Sequence, residues 1–509
     1  MKKGLCLLLG LLLLLLTVVS CGEKKPPADP TPASDESTTV PVRTDEPGTE
    51  KEYKLELPER SFKNGDIPRE FTMLCRQNRI DQFFQENAAI GSSQLEKAVY
   101  ERNCFVEETY GVEINCITTS DSGPDNVKGS EFNTKLAASA MANSNQYDVV
   151  APDYYWGCET KGYFANLYDL DYLYFDAPWW WTAWNECFTI DNKLTSAVGW
   201  LTLDIVQGME VVYFNPTMME NLGYNDIYSE VYDKTWTIER MMEIGKAATY
   251  GINEDGSLED GYVYGTILHY MGLRNLFFSL GGRFASYDED DRTIYYDFVT
   301  PTNEAIAQKL TKWLRDGYDS EVYYCAYGTV GHDLGVNERP TVTAQMFSAG
   351  HSLFYCYGLK TAELLVSLNT KFGILPAPLM NGEQENYIST TFGTSYFAIE
   401  RHHPEEQKNF AAFILEALNY YSYTMVKDVY YIKTLKLRYA SDVAVRDMLD
   451  FVVENTYLDF AYLTSSHTGN LMGKMLSCIT NGTALSTAWI SLEGSALEKL
   501  QTYLQGYLK

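Results

Sequence analysis

The chain lacks a basic excess, a metal-binding cysteine pattern and any long apolar run beyond its first twenty residues. Its 40 Lys+Arg stand against 68 Asp+Glu, for a formal net charge of −28. Nucleic-acid binders need a basic footprint to displace counterions, and docking on anionic lipid needs the same, so neither class fits. HExxH, GxSxG, a Walker loop and GxGxxG are all missing, which removes the usual sequence signatures of zinc proteases, serine hydrolases and nucleotide-binding enzymes. Apart from Cys6 and Cys21, the cysteines are Cys75, Cys104, Cys116, Cys158, Cys187, Cys325, Cys356 and Cys478. None is spaced as CxxC or as a finger, so no metal and no cofactor is expected, and most read as buried thiols. Asn253-Glu254-Asp255-Gly256 has the look of part of a calcium loop, but Gly251 and Tyr262 stand where the first and last ligands should be, so it reads as a surface turn.

Aromatics are what the chain has in excess. They make up 14% of it, with 39 Tyr, 23 Phe and 9 Trp. Hydrophobic residues at 45% and charged residues at 21% are ordinary for a globular protein, and 509 residues predict more than one domain or lobe.

Lys2 and Lys3 form a positive start, and Leu5 to Leu16 is an almost unbroken apolar run, too short to span a bilayer comfortably but suited to a signal peptide. Val18-Val19-Ser20-Cys21 closes it and resembles a bacterial lipobox. That resemblance implies that Cys21 becomes the mature N-terminus and is lipidated, with acyl chains such as palmitate anchoring the protein at the outer face of the cytoplasmic membrane. The segment that follows, to about Pro58, is rich in Pro, Thr, Ser, Asp and Glu and poor in apolar residues, and reads as a flexible tether.

The body alternates strands and helices. Glu70 to Cys75 reads as a first buried strand, residues 92–110 as a helix stopped by Gly111, and Gly111 to Ile117 as a second strand. Residues 131–143 read as another helix and Tyr147 to Pro152 as a short third strand. The pattern is that of a parallel α/β sheet, whose ligands bind beyond the carboxyl ends of the strands. The loop there is Asp153-Tyr154-Tyr155-Trp156-Gly157. Trp179-Trp180-Trp181 is expected to leave at least one ring outside the core, because adjacent side chains diverge in strand or helix. Trp180 and Trp181 are therefore candidates for ligand contact, whereas Trp236 and Trp313 read as core.

An ordered series of landmarks then carries a resemblance. After the lipobox come Tyr147-Asp148-Val149-Val150, Gly162-Tyr163-Phe164-Ala165-Asn166-Leu167, Val212-Tyr213-Phe214-Asn215-Pro216 and Lys234-Thr235-Trp236-Thr237. Tyr262-Val263-Tyr264-Gly265, Leu280-Gly281-Gly282, Met346-Phe347-Ser348-Ala349-Gly350 and Phe372-Gly373-Ile374-Leu375-Pro376-Ala377-Pro378 follow. Together they resemble the extracellular solute-binding proteins of ABC importers, specifically the carbohydrate-binding group, over roughly residues 69 to 430.

The resemblance implies a periplasmic-binding-protein-like type II α/β fold: two discontinuous lobes hinged about an interlobe cleft. On this sequence it implies a signal peptide at 1–20, a lipidated tether at 21–65, one lobe from 66–208 plus 376–430, and a second from 209–375 plus 431–509. Crossings are expected near Gly208 to Glu210, near Phe372 to Pro376 and after about residue 430. The family's cleft positions map onto Asp153, Tyr155 and Trp156, onto Glu210, and onto His269-Tyr270 and Tyr357-Gly358. Asp153 would accept hydroxyl protons, Tyr155 or Trp156 would stack on a sugar ring, and Tyr270 and Tyr357 would face them from the other lobe. The implied partners are a carbohydrate and a membrane permease, with no nucleic acid, and the protein is expected to be a monomer that performs no catalysis. A peptide-binding or signalling receptor on the same scaffold is the alternative, and a surface glycan hydrolase or adhesin a third.

Overall fold

A computed structural model describes residues 54–509 except 90–91, 121–129, 254–256, 289–291, 318–321, 326–338, 392 and 431–442. The expected signal peptide, Cys21 and most of the tether lie outside the described residues, as does most of the turn at 253–256. The chain joins the globular body early: Leu55, Leu57 and Phe62 pack on the core, and Phe62 meets Phe410 edge-on at 4.9 Å.

The first lobe is built on a parallel sheet of three strands, ordered β2-β1-β3: β1 (Arg69–Arg76), β2 (Val112–Thr119) and β3 (Val149–Val150). Phe71, Leu74 and Cys75 of β1 are all fully buried, as expected of a strand covered on both faces. Helices α1 (Gln94–Tyr110) and α2 (Ser130–Ala142) complete the strand-helix alternation. Ser93 and Glu96 form a capping box at the start of α1, and Gly111 ends it in the left-handed conformation at φ 67°. The helices and strands fall within a few residues of the sequence expectation.

The second lobe holds a mixed sheet ordered β11-β4-β10-β6-β5, with β9 also pairing with the last four residues of β6. In chain order these are β4 (Glu210–Phe214), β5 (Tyr250–Ile252), β6 (Leu258–His269), β9 (Val322–Cys325), β10 (Ser352–Gly358) and β11 (Gly373–Leu375), and a separate hairpin pairs β7 (Ala285–Tyr287) with β8 (Ile294–Tyr296). Strands β6, β9 and β10 run parallel, and β4 is antiparallel to β10 and β11. Helix α3 (Tyr270–Ser279) leaves the carboxyl end of β6 directly. Trp236 and Trp313 are buried, and the Trp236 indole donates to the Pro376 carbonyl at 3.0 Å.

Three segments run side by side between the two sheets. Met209 bridges Thr391, the Glu210 N–H donates to the Thr390 carbonyl at 3.2 Å, and the Tyr457 N–H donates to the Ser389 carbonyl at 2.8 Å. Phe372–Pro376 lies at β11 within the second sheet, and the chain enters the first lobe further on, where Ser395 bridges Asp153 and Ala398 bridges Val150. Gly208 sits where a Cβ would come within 2.4 Å of the Thr391 hydroxyl, so glycine permits this close approach. The buried apolar core is continuous through this region.

Later helices are α4 (Glu405–Tyr421), α5 (Phe460–Leu463), α6 (Leu471–Asn481) and α7 (Leu485–Tyr507). Helix α4 is buried from Phe410 to Asn419 and supports the first sheet. Helix α7 is tied to the first lobe: Tyr503 donates to Glu159 at 2.5 Å and Tyr507 to the Phe188 carbonyl at 2.6 Å. Among the described residues no helix is long and apolar enough to cross a membrane.

Candidate functional site

In the first lobe the site begins at the carboxyl ends of β1 and β3. Asp153 caps a single helical turn, Tyr154–Trp156, by accepting the Tyr155 N–H at 3.0 Å. Its carboxylate is also held by Arg76, the last residue of β1, at 2.5 Å. Arg76 reaches Asp204 at 3.8 Å, and Arg79 meets the same carboxylate at 3.1 Å. Asp204 accepts from the Ser395 N–H and hydroxyl as well, both at 3.1 Å. Two arginines thus balance two carboxylates in one buried network.

The carboxylates respond differently to burial. For Asp204 burial opposes the charge, but Arg79 and Arg76 outweigh it and hold the group below the usual carboxylate range. For Asp153 burial wins over Arg76, and the group is raised.

Around the cap the rings sort themselves by exposure. Trp156 is buried, with Phe132 at 5.2 Å on one side and the Arg76 guanidinium 5.5 Å from its centroid. Tyr154 is buried beneath Tyr155, ring to ring at 3.9 Å, while Tyr155 stays 36% exposed. His467 Nε2 lies 2.8 Å from the Tyr155 carbonyl oxygen.

In the second lobe Glu210 opens β4 and is fully buried. Arg274 of α3 pairs with it at 2.5 Å. Burial pushes the Glu210 carboxyl up to about 7 against the pull of Arg274. Tyr357 stands one residue before the end of β10, and its neighbour Gly358 is in register with Glu210. Its ring meets His269 edge-on at 4.6 Å, and His269 lies 4.4 Å from Tyr270. His269, Tyr270 and Tyr357 therefore cluster at the carboxyl ends of two parallel strands, where α/β sheets bind ligands.

Tyr462 of α5 joins the two halves. Its ring lies under the Arg274 guanidinium at 4.7 Å, its hydroxyl donates to the Thr391 carbonyl at 2.8 Å, and it hydrogen-bonds Tyr154. Asp153 and Glu210 are thus linked through Tyr154, Tyr462 and Arg274.

The tryptophan run does not behave as side-chain alternation predicts. Trp179, Trp180 and Trp181 are 2%, 4% and 8% exposed. The chain turns between Ala177 and Trp180 and enters a helix after Trp181, so the three rings are not set on one regular element. The indoles of Trp179 and Trp180 both donate to Glu416 of α4, at 2.7 and 2.8 Å. Trp181 stacks on Trp200 at 5.5 Å and leaves its buried indole N–H without a protein partner.

Sequence reasoning missed Arg76, Asp204, Arg274 and Tyr462. Arg76 ends a strand directly after the buried run Met73-Leu74-Cys75, which is a local signal. Arg274 lies one helical turn beyond Tyr270 among apolar residues, a weaker one. Tyr462 has none, because its role comes from contacts with residues far away in the chain. Among the described residues no cluster of His, Cys, Asp and Glu is arranged to hold a metal ion.

No protein-family model and no curated protein matches the sequence. Solved structures do. A cyclo/maltodextrin-binding protein complexed with maltotetraose aligns with TM-score 0.53 and 11% identity, over 86% of this chain and 98% of that one. UgpB from Mycobacterium tuberculosis, in complex with glycerophosphocholine, aligns with TM-score 0.52 and 15% identity, over 86% and 99%. The galacto-N-biose-/lacto-N-biose I-binding protein of the ABC transporter from Bifidobacterium longum, in complex with lacto-N-biose, aligns with TM-score 0.52 and 12% identity, over 86% and 98%. At such identities the likeness is one of fold, and the chain has the two-lobed α/β fold of these solute-binding proteins.

Proposed function

We propose that the protein is a solute-binding receptor that captures a neutral carbohydrate, an oligosaccharide in the first instance, and hands it to an ABC permease. It performs no chemistry on its ligand. Cys21 carries the lipid that holds it at the outer face of the cytoplasmic membrane, and the receptor acts as a monomer. One lobe comprises residues 66–208 with about 395–430 and the other residues 209–388, and of the later helices α7 packs back on the first lobe. They close on the ligand about the three adjacent segments at Met209, Thr391 and Tyr457.

The observation that carries this reading is that the candidate tyrosines of both lobes lie near charges that are already paired. Asp153 faces Arg76, and Glu210 faces Arg274, so neither offers net charge to an ionic guest. Tyr155 presents a partly exposed face, and Tyr270 and Tyr357 lie at the strand ends of the other lobe. Aromatic faces suit the C–H patches of a sugar, and polar ring tips suit its hydroxyls. In this reading Asp153 and Glu210 orient the site through their arginines, Trp156 backs the Asp153 loop, and Trp180 and Trp181 stiffen the first lobe. The carbohydrate ligands of the maltodextrin- and lacto-N-biose-binding neighbours support the same class.

Thermal shift against mono- and oligosaccharides, followed by calorimetry on each hit, tests the reading. A micromolar ligand corresponds to about 8 kcal/mol of binding, and saturation at a hundred times Kd stabilises by about 2.7 kcal/mol. A panel without a single stabilising sugar, alongside stabilisation by peptides or release of hydrolysis products, refutes it.

A further inference from the structure

We infer that Arg274 is a positioning residue that sets the aromatic wall of the ligand site from behind, through a relay of three tyrosines. The inference rests on the proposed site but concerns a residue that the family resemblance did not bring forward.

Arg274 is 3% exposed and occupies the point where the lobes meet. On one side its guanidinium grips Glu210. On the other it covers the ring of Tyr462 at 4.7 Å. Tyr462 is anchored to the Thr391 carbonyl and hydrogen-bonded to Tyr154, and Tyr154 lies ring to ring with Tyr155 at 3.9 Å. Each link is short and directional: an ion pair, a cation over a ring face, a hydroxyl contact and a tilted ring pair. Glu210 and Arg274 come from the second lobe, and Tyr154 and Tyr155 from the first. The relay therefore reaches from the second sheet to the one exposed ring of the Asp153 loop.

A second feature marks the pair as more than a structural clamp. Buried atoms on both partners, Glu210 Oε2 and Arg274 Nε, have no protein partner, and neither have the hydroxyls of Ser389, Thr390 and Thr391 on the adjacent crossing segment. A clamp built only for stability would satisfy these atoms. An arrangement with open valences has room to re-pair when the lobes move, and Tyr155 would move with it.

The test uses the full-length protein and two readouts. Nitration of Tyr155 by tetranitromethane, followed by peptide mass spectrometry, reports the setting of that ring without any ligand. Calorimetry with the panel sugar that gives the largest thermal shift reports binding. R274M leaves a buried carboxylate unpaired and can fail to fold, so E210Q/R274M and Y462F carry the test beside R274K. Y462F keeps the ring and breaks the hydroxyl links. We expect folded E210Q/R274M and Y462F to nitrate Tyr155 severalfold faster and to bind the sugar about tenfold more weakly, with R274K intermediate. Unchanged Tyr155 nitration in both folded variants overturns the inference. A shifted nitration rate in a protein whose wild type binds no sugar upholds the relay and refutes the carbohydrate reading.

Discussion

Replacing Glu416 tests the interior of the first lobe most directly. The residue lies in α4, fully buried, and accepts the indole N–H of Trp179 at 2.7 Å and of Trp180 at 2.8 Å. The Tyr174 N–H adds a third, longer contact at 3.4 Å. Glu416→Leu is apolar, one atom shorter and without an acceptor, so it strands both indoles in an apolar interior. An unsatisfied buried donor costs about 1–3 kcal/mol, and two of them about 2–6 kcal/mol. Part of that is returned, because the native carboxyl is itself poorly solvated: burial pushes it up to about 7, against the opposing hydrogen bonds from Trp179 and Trp180. The net expectation at pH 7 is a loss of about 2–4 kcal/mol. Glu416→Gln keeps one acceptor oxygen but turns a donor towards one indole, and should lose about 1–3 kcal/mol. Urea unfolding followed by tryptophan fluorescence measures both. A Glu416→Leu protein within about 0.5 kcal/mol of wild type would refute the reasoning, since surface changes fall in that range. The same variants separate scaffold from site. If Trp180 only stiffens the lobe, folded Glu416→Gln keeps its sugar affinity. A collapse of affinity without loss of fold would put Trp180 in contact with the ligand.

Other consequences follow from the paired charges and the rings. Tyr155→Ala should weaken sugar binding about tenfold, from one lost stacking contact and its buried area, without changing the unfolding midpoint, and calorimetry beside urea denaturation checks both. Asp204→Asn leaves Arg76 and Arg79 underpaired in a buried setting and should cost about 3–5 kcal/mol in urea unfolding; an unchanged midpoint would count against the network. Burial raises Asp148, Glu210, Glu400 and Glu416 to about 7 in the folded protein. The folded state then holds protons that the unfolded state has released, so stability should fall as pH rises from about 4.5 to 7, by up to about 1.4 kcal/mol per pH unit for each group. A thermal melt more stable at pH 7.5 than at pH 5 would contradict that sign.

Elements with strong local signals were legible before the structure. Apolar β1, the helix stopped by Gly111 and the short strand before Asp153 all follow from periodicity and a single glycine. The aromatic loop after β3 could be singled out by the rule that sheets bind ligands at strand ends. Less could be read of the crossings. Phe372–Pro376 carries an apolar run closed by proline, which looks like a strand about to leave its sheet. Pairing with β4 keeps it there, and the change of lobe comes with the Ser389 to Ser395 segment, whose polar residues give no such local signal. The tryptophan run failed for another reason. Alternation holds only on regular elements, and a turn lets three neighbouring rings share one interior.

The sequence alone determined the alternating α/β architecture, the acidic and aromatic character, and the residues poised at the strand ends, because each depends on near neighbours in the chain. Only the tertiary structure decided how those residues are employed. Asp153, expected to accept the hydroxyl protons of a sugar, and Glu210, expected at the cleft, are each held by an arginine, and Tyr462 joins them from several hundred residues away. An ion pair or a stacked ring is settled by which distant side chain arrives at the same place, and no local pattern encodes that.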